Sequence, residues 1–159
     1  MDNAISITTS VDYSIPIDVM IPLLHSFGFS YFSLGGQEKH SRFLSKDGRD
    51  CIKRIMESVG MQIDTIHCPR LDQIQNIEQL REYITAANEL SVKTLVFHGG
   101  PFNFNEKEQY EREKKLISNC KEYGSIFEDN GIQVALENVM PGAATEIILN
   151  SVFVLMSHG

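Results

Sequence analysis

Three residues of types that bind metals or transfer protons follow β-prone runs in this sequence. His67 and His98 each end such a run, and Glu137 ends a third one. Imidazole nitrogens and carboxylate oxygens suit divalent metals, and a carboxylate can also act as a base. Because active sites gather where parallel strands end, we expect the three side chains to converge. The pattern predicts a divalent metal site for Mn, Co, Zn or Mg, with Glu137 as the candidate catalytic group.

The elements that must position these residues alternate between strands and helices. Gly28, Gly60 and Gly131 each follow an amphipathic stretch and precede a β-prone run, as the glycine after a helix does, and Ser91 takes that place once. Their spacing is close to the roughly 30 residues of a strand-helix unit. The candidate strands cover residues 4–8, 31–34, 61–67, 94–98 and 133–137.

Helices are predicted between these strands. Apolar residues recur at helical spacing from Ile74 to Ala87 and from Leu116 to Phe127, which predicts two surface helices with one buried stripe each. Shorter helices are expected over residues 15–26 and 50–59. Because parallel neighbouring strands need a crossover helix, the alternation predicts an α/β fold with a mainly parallel sheet and right-handed connections.

The sequence is compatible with two arrangements of such a sheet, a five-stranded doubly wound open sheet and a partial (β/α)8 TIM barrel. The strands alternate apolar residues such as Phe32 and Leu34 with polar residues such as Ser33 and Glu137. An open sheet covered by helices is apolar on both faces, whereas a barrel interior can turn polar near its mouth. This alternation favours the barrel.

The length sets how much of a barrel the chain can form. Eight units take about 250 residues, and 159 residues hold about five. We expect one domain over residues 1–159, truncated after about the fifth βα unit, with residues 143–150 helical and 152–156 a poor sixth strand. The open barrel edge is expected to favour a homo-oligomer that covers it.

Charge and hydropathy narrow the expected partners and location. Fourteen Lys and Arg residues against 21 Asp and Glu residues give a net charge of −7, which argues against binding to nucleic acid or an anionic membrane. The sequence shows no export signal and no apolar run near the roughly 20 residues of a membrane span. We therefore expect a cytoplasmic protein with a small-molecule partner and no membrane contact.

Several motifs resemble those of one enzyme family. They are Asp-Tyr-Ser-Ile-Pro at 12–16, Ser-Leu-Gly-Gly at 33–36 and Ala-Leu-Glu-Asn at 135–138, together with the two strand-end histidines. In order and spacing they resemble the sugar-phosphate isomerase/epimerase family, which has xylose-isomerase-like TIM barrels and is grouped with endonuclease-IV-type enzymes. The resemblance runs through most of the chain, and the fold it implies is this barrel.

The resemblance also implies roles for individual residues. Glu137 would be a metal ligand and, in epimerases, one member of a carboxylate pair that exchanges a proton beside the carbonyl of a sugar or sugar phosphate, in a metal-assisted proton or hydride transfer. His67 and His98 match strand-end histidines that bind metal in the endonuclease-like branch and line the substrate pocket elsewhere. The candidate substrate contacts are Gly35, Gly36 and His40, in the loop after the second strand, and Asn138.

Two alternatives to a sugar isomerase or epimerase stay open. The family's later ligands, expected from strands six to eight, are missing, so the chain can also be a catalytically incomplete barrel fragment that binds a ligand or partner. An endonuclease-IV-like phosphoesterase acting on abasic DNA fits His67, His98 and Glu137 but conflicts with the acidic charge. Nucleotide-binding glycine motifs and the serine-hydrolase motif are absent from the sequence.

Overall fold

The computed structural model describes residues 5–98 and 106–137, which alternate between strands and helices as the sequence predicts. The strands are β1 (Ser6–Thr8), β2 (Tyr31–Leu34), β3 (Gln62–Cys68), β4 (Thr94–His98) and β5 (Gln133–Glu137). The helices are α1 (Ile17–Ser26), α2 (Glu38–Ser41), α3 (Lys46–Val59), α4 (Ile77–Glu89) and α5 (Glu106–Asp129). Single turns of 3-10 helix cover Thr9–Val11 and Leu71–Gln73.

The order of the strands in the sheet decides between the two predicted arrangements. The sheet runs β1-β2-β3-β4-β5, and every neighbouring pair is parallel. A doubly wound sheet reverses its strand order at a switch point, whereas a barrel adds each strand beside the previous one. The part of the chain that the structure describes is therefore a partial (β/α)8 barrel, and the doubly wound alternative is wrong.

The sheet has one apolar face and one polar face. Leu34, Ile66 and Leu95 are paired across three strands and are fully buried beneath the helices. The residues one position earlier in these strands point to the opposite face of the sheet, and their row is polar in every strand. This polar row consists of Thr8, Ser33, Thr65, Thr94 and Gln133.

A β-bulge in β3 determines which face His67 joins. Phe32 lies opposite Ile63, but Ser33 lies opposite Thr65, so Asp64 is an extra residue in β3. Strict alternation would place residue 67 on the same face as Ile63, which is buried against the helices. An extra residue exchanges the two faces for the rest of the strand. His67 therefore lies on the polar face.

Most of the predicted elements appear with small shifts in their ends. The four residues predicted to follow a helix all adopt the left-handed conformation, with φ of 90° at Gly28, 77° at Gly60, 64° at Gly131 and 60° at Ser91. α5 begins ten residues before the apolar stripe that predicted it, and the short α2 was not predicted. The helix and strand predicted after residue 137 lie outside the described residues.

No helix in the described segments is long and apolar enough to cross a membrane.

Two helical glycines provide a matched test of the packing of α3. An added Cβ at Gly48, in the first turn of α3, would collide with the backbone oxygen of Arg42, whereas one at Gly124 in α5 would meet nothing within 4 Å. We expect Gly48→Ala to lower the free energy of unfolding by roughly 2 kcal/mol. Gly124→Ala should raise it by up to about 1 kcal/mol. Urea unfolding measures both, and equal effects would contradict the packing described.

Candidate functional site

The three strand-end residues meet at the carboxyl end of the sheet. Glu137 Oε2 lies 3.0 Å from His98 Nδ1 and 3.6 Å from His67 Nδ1. The two imidazole rings are 5.9 Å apart between centroids. Glu137 is the sheet partner of His98, so the register of β4 and β5 sets the shorter distance, and the β3 bulge sets the longer one.

The donor atoms of this triad, defined as His67, His98 and Glu137, fit a divalent cation. One donor atom from each residue lies within 4.8 Å of the other two. An ion about 2.1 Å from each donor would hold any two of them no more than about 4.2 Å apart, so small side-chain rotations suffice. Glu137 Oε2 is buried without a hydrogen-bond partner. A bound cation would satisfy this oxygen, whose burial is otherwise unfavourable.

The environment of His67 favours the form of imidazole that binds metals. Burial lowers the pKa of His67 below the ordinary value of 6.5, and the nearby His98 adds to this, while Glu137 and Asp64 oppose it. Only the neutral ring offers a free nitrogen lone pair to a cation. The His98 side chain is 41% exposed, so the triad is open to solvent on the side of β4.

Beneath His67, two hydroxyl groups of the polar row form a hydrogen bond. Ser33 Oγ and Thr65 Oγ1 are 2.6 Å apart, and the Thr65 hydroxyl also donates to Asp64 Oδ1 at 3.3 Å. Thr65 is the residue two before His67, on the same face. The alternation in the sequence predicted that Ser33 lies on the polar side of its strand, but it did not predict the hydrogen bond between Ser33 and Thr65.

Gly35 and Gly36 follow β2 and lie close to other strand ends. The backbone N–H of Gly35 donates to Thr9 Oγ1 at 2.8 Å. A Cβ at Gly36 would lie 2.9 Å from the backbone oxygen of His67. The lack of side chains therefore lets the end of β2 contact the end of β3, which places these candidate substrate contacts beside the triad.

The other two candidate substrate contacts are placed differently. His40 lies in α2, and its Nε2 donates to the backbone oxygen of Ile15 at 2.7 Å, while its Nδ1 is buried without a partner. His40 therefore holds the segment before α1 and is not one of the triad's donors. Asn138 lies outside the described residues. Roles of these four residues in substrate binding remain predictions.

A comparison with protein families defines the class of this barrel. A family described as "Xylose isomerase-like TIM barrel" matches residues 21–150. This match covers most of the chain, including all three triad residues. The chain therefore belongs to the xylose isomerase-like TIM barrel family. No curated protein matches it in sequence.

Solved structures of sugar epimerases share the fold at low sequence identity. 3-keto-D-glucoside 4-epimerase YcjR from E. coli has a TM-score of 0.64 and 13% identity, over 82% of this chain and 54% of its own. A D-tagatose 3-epimerase-like protein has a TM-score of 0.66 and 18% identity, over 87% of this chain and 54% of its own. D-psicose 3-epimerase, solved with D-fructose, has a TM-score of 0.66 and 11% identity, over 92% of this chain and 59% of its own. The chain thus spans little more than half the length of these structures.

The lowered pKa of His67 predicts how stability depends on pH. The unfolded chain takes up a proton near pH 6.5, whereas folded His67 takes it up only at lower pH. The unfolded state therefore binds more protons between these values, and the protein loses stability as the pH falls below about 6.5. In metal-free buffer, His67→Gln should reduce this loss when urea unfolding is measured from pH 7 to pH 5. An equal reduction in His25→Gln, which alters an exposed histidine of α1, would contradict the assignment.

Proposed function

We propose that this chain carries the metal-binding half-site of an isomerase or epimerase that acts on a small sugar or sugar phosphate. The supporting observation is the position of Glu137 Oε2, buried without a hydrogen bond and close to two imidazole nitrogens. This arrangement lies where active sites of (β/α)8 barrels are built. The activities of the sugar epimerases with the same fold support this substrate class.

His67, His98 and Glu137 would hold the cation. A divalent cation at this position would polarise the carbonyl of a bound ketose and make the neighbouring C–H bond more acidic. Glu137 would accept the proton from that carbon and return it. The exposed side of His98 leaves the triad accessible to a substrate at this end of the sheet.

The number of acid-base groups limits which reaction this half-site can complete. Epimerisation needs proton removal on one face of the carbon and delivery on the other, so it needs a second group opposite Glu137. Exchange of the same proton with solvent needs only one base. A half-site that provides Glu137 as its base, as the triad of described residues does, is therefore expected to catalyse hydrogen exchange more readily than net epimerisation.

Metal binding tests the proposed ligands directly. Titration calorimetry with Mn²⁺, Co²⁺ or Zn²⁺ should show one site per chain, and Glu137→Gln or His98→Gln should weaken it about 10- to 100-fold or more, because each removes one of three donors. Glu128→Gln provides the matched control, since Glu128 is exposed on α5. An unchanged affinity of Glu137→Gln for the cation would show that the triad is not the metal site.

Solvent exchange tests the proposed chemistry. With Mn²⁺ in D₂O, the chain should transfer deuterium to the carbon beside the carbonyl of a ketohexose such as D-fructose, as followed by proton NMR. Glu137→Gln should lower the rate by about 100-fold or more, since general-base catalysis contributes on that order. If the wild-type chain binds metal and sugar but exchanges no deuterium, the catalytically incomplete alternative holds and the proposed activity is wrong.

A further inference from the structure

Two hydroxyl groups lie at the same end of the sheet as the triad, in the segment after β1. Ser10 Oγ and Tyr13 OH are 2.8 Å apart and form a hydrogen bond. Ser10 is exposed and Tyr13 is half-buried. A hydroxyl can donate one hydrogen bond and accept two, so this Ser10–Tyr13 pair keeps a free donor and free acceptors for another molecule.

The two glycines after β2 connect this pair to the triad. A Cβ at Gly35 would lie 2.7 Å from Ser10 Oγ and 2.8 Å from Tyr13 OH. The next residue, Gly36, lies against the backbone of His67, where its Cβ would come within 2.9 Å of the carbonyl oxygen. The pair and the triad are therefore connected through two consecutive residues without side chains, with Gly35 against the pair and Gly36 against the backbone of His67.

The segment that carries Tyr13 is held in place by its own contacts. The rings of Tyr13 and His40 pack in a T-shaped arrangement, with 5.3 Å between their centroids and an interplanar angle of 75°. His40 also donates to the backbone oxygen of Ile15 at 2.7 Å. Asp12 Oδ1 accepts from the backbone N–H and the hydroxyl of Ser14 at 2.8 and 2.6 Å. Since the His40 ring contacts the Tyr13 ring and the segment around it is held by hydrogen bonds, Tyr13 loses little freedom when it binds a ligand.

We infer that the Ser10–Tyr13 pair binds hydroxyl groups of the substrate while its carbonyl lies at the triad. This inference rests on the proposed function and specifies its substrate class. The pair is uncharged, so it suits a sugar hydroxyl, whereas a phosphate group is recognised by cationic side chains or clustered backbone N–H groups. At the position of the pair, the substrate is therefore predicted to carry hydroxyl groups and no phosphate, as an unphosphorylated ketose does.

Loss of the Tyr13 hydroxyl tests the inference. With saturating Mn²⁺, the chain is titrated with D-fructose, D-psicose and D-tagatose, and with D-fructose 6-phosphate. Wild type should bind at least one free ketohexose more tightly than the phosphate ester. Tyr13→Phe keeps the ring that faces His40 and should raise the dissociation constant of that sugar about 3- to 10-fold, the effect of one lost hydrogen bond. Ser10→Ala should act in the same direction.

The metal affinity and a matched variant separate the outcomes. Tyr110→Phe makes the same change at an exposed tyrosine of α5 and should leave sugar binding as in wild type. Mn²⁺ should bind Tyr13→Phe and wild type equally. Unchanged sugar affinity in Tyr13→Phe, tighter binding of the phosphate ester, or no binding of any free ketohexose by metal-loaded wild type would overturn the inference. If wild type does not bind metal, the proposed function itself is wrong.

Discussion

The extra residue in β3 is the constraint on which the candidate site depends. Parallel pairing places His98 and Glu137 side by side, but His67 joins them only because Asp64 shifts the alternation of β3 by one residue. Ile63 and Ile66 keep the buried face of the strand apolar on both sides of this shift. The hydrophobic core therefore holds the bulge in register, because a strand without it would place an imidazole in the core and an isoleucine in the polar interior.

The same register explains how the site combines rigidity with access. The apolar face of the sheet is covered by helices and holds the strand ends at fixed spacing, while the polar face carries the Ser33–Thr65 hydrogen bond below the triad. At the end of β2, Gly35 and Gly36 remove the side chains that would otherwise separate β1 from β3. Five strands thus bring two neighbouring groups together, the candidate metal-binding triad and the Ser10–Tyr13 pair.

The sequence predicted the order of elements and the three triad residues, because both follow from local patterns. Helix-ending residues at regular spacing define βα units, and Ser91 adopts the left-handed conformation expected from its place in that spacing. The bulge was not predicted, although the alternation of apolar residues changes phase between Ile63 and Ile66 and so indicates an extra residue in this part of β3. Its position is set by pairing with β2 and by burial of Ile66, which are contacts distant in sequence.

The Ser10–Tyr13 pair escaped the sequence analysis for a related reason. Its placement depends on Gly35, which is 25 residues from Ser10 in the chain, and on the hydrogen bond that His40 donates to Ile15. His40 was expected to contact substrate, yet the contact that the structure describes is with the segment carrying Tyr13. A residue near a site can thus act by fixing the position of another, which composition and spacing do not reveal.

The central claim is that one cation is held jointly by β3, β4 and β5. Anomalous diffraction from crystals grown with Mn²⁺, recorded near the manganese absorption edge, tests it most directly. We expect a single strong peak within bonding distance of His67, His98 and Glu137. A peak bound to only one of these residues, or no peak at this end of the sheet, would contradict it.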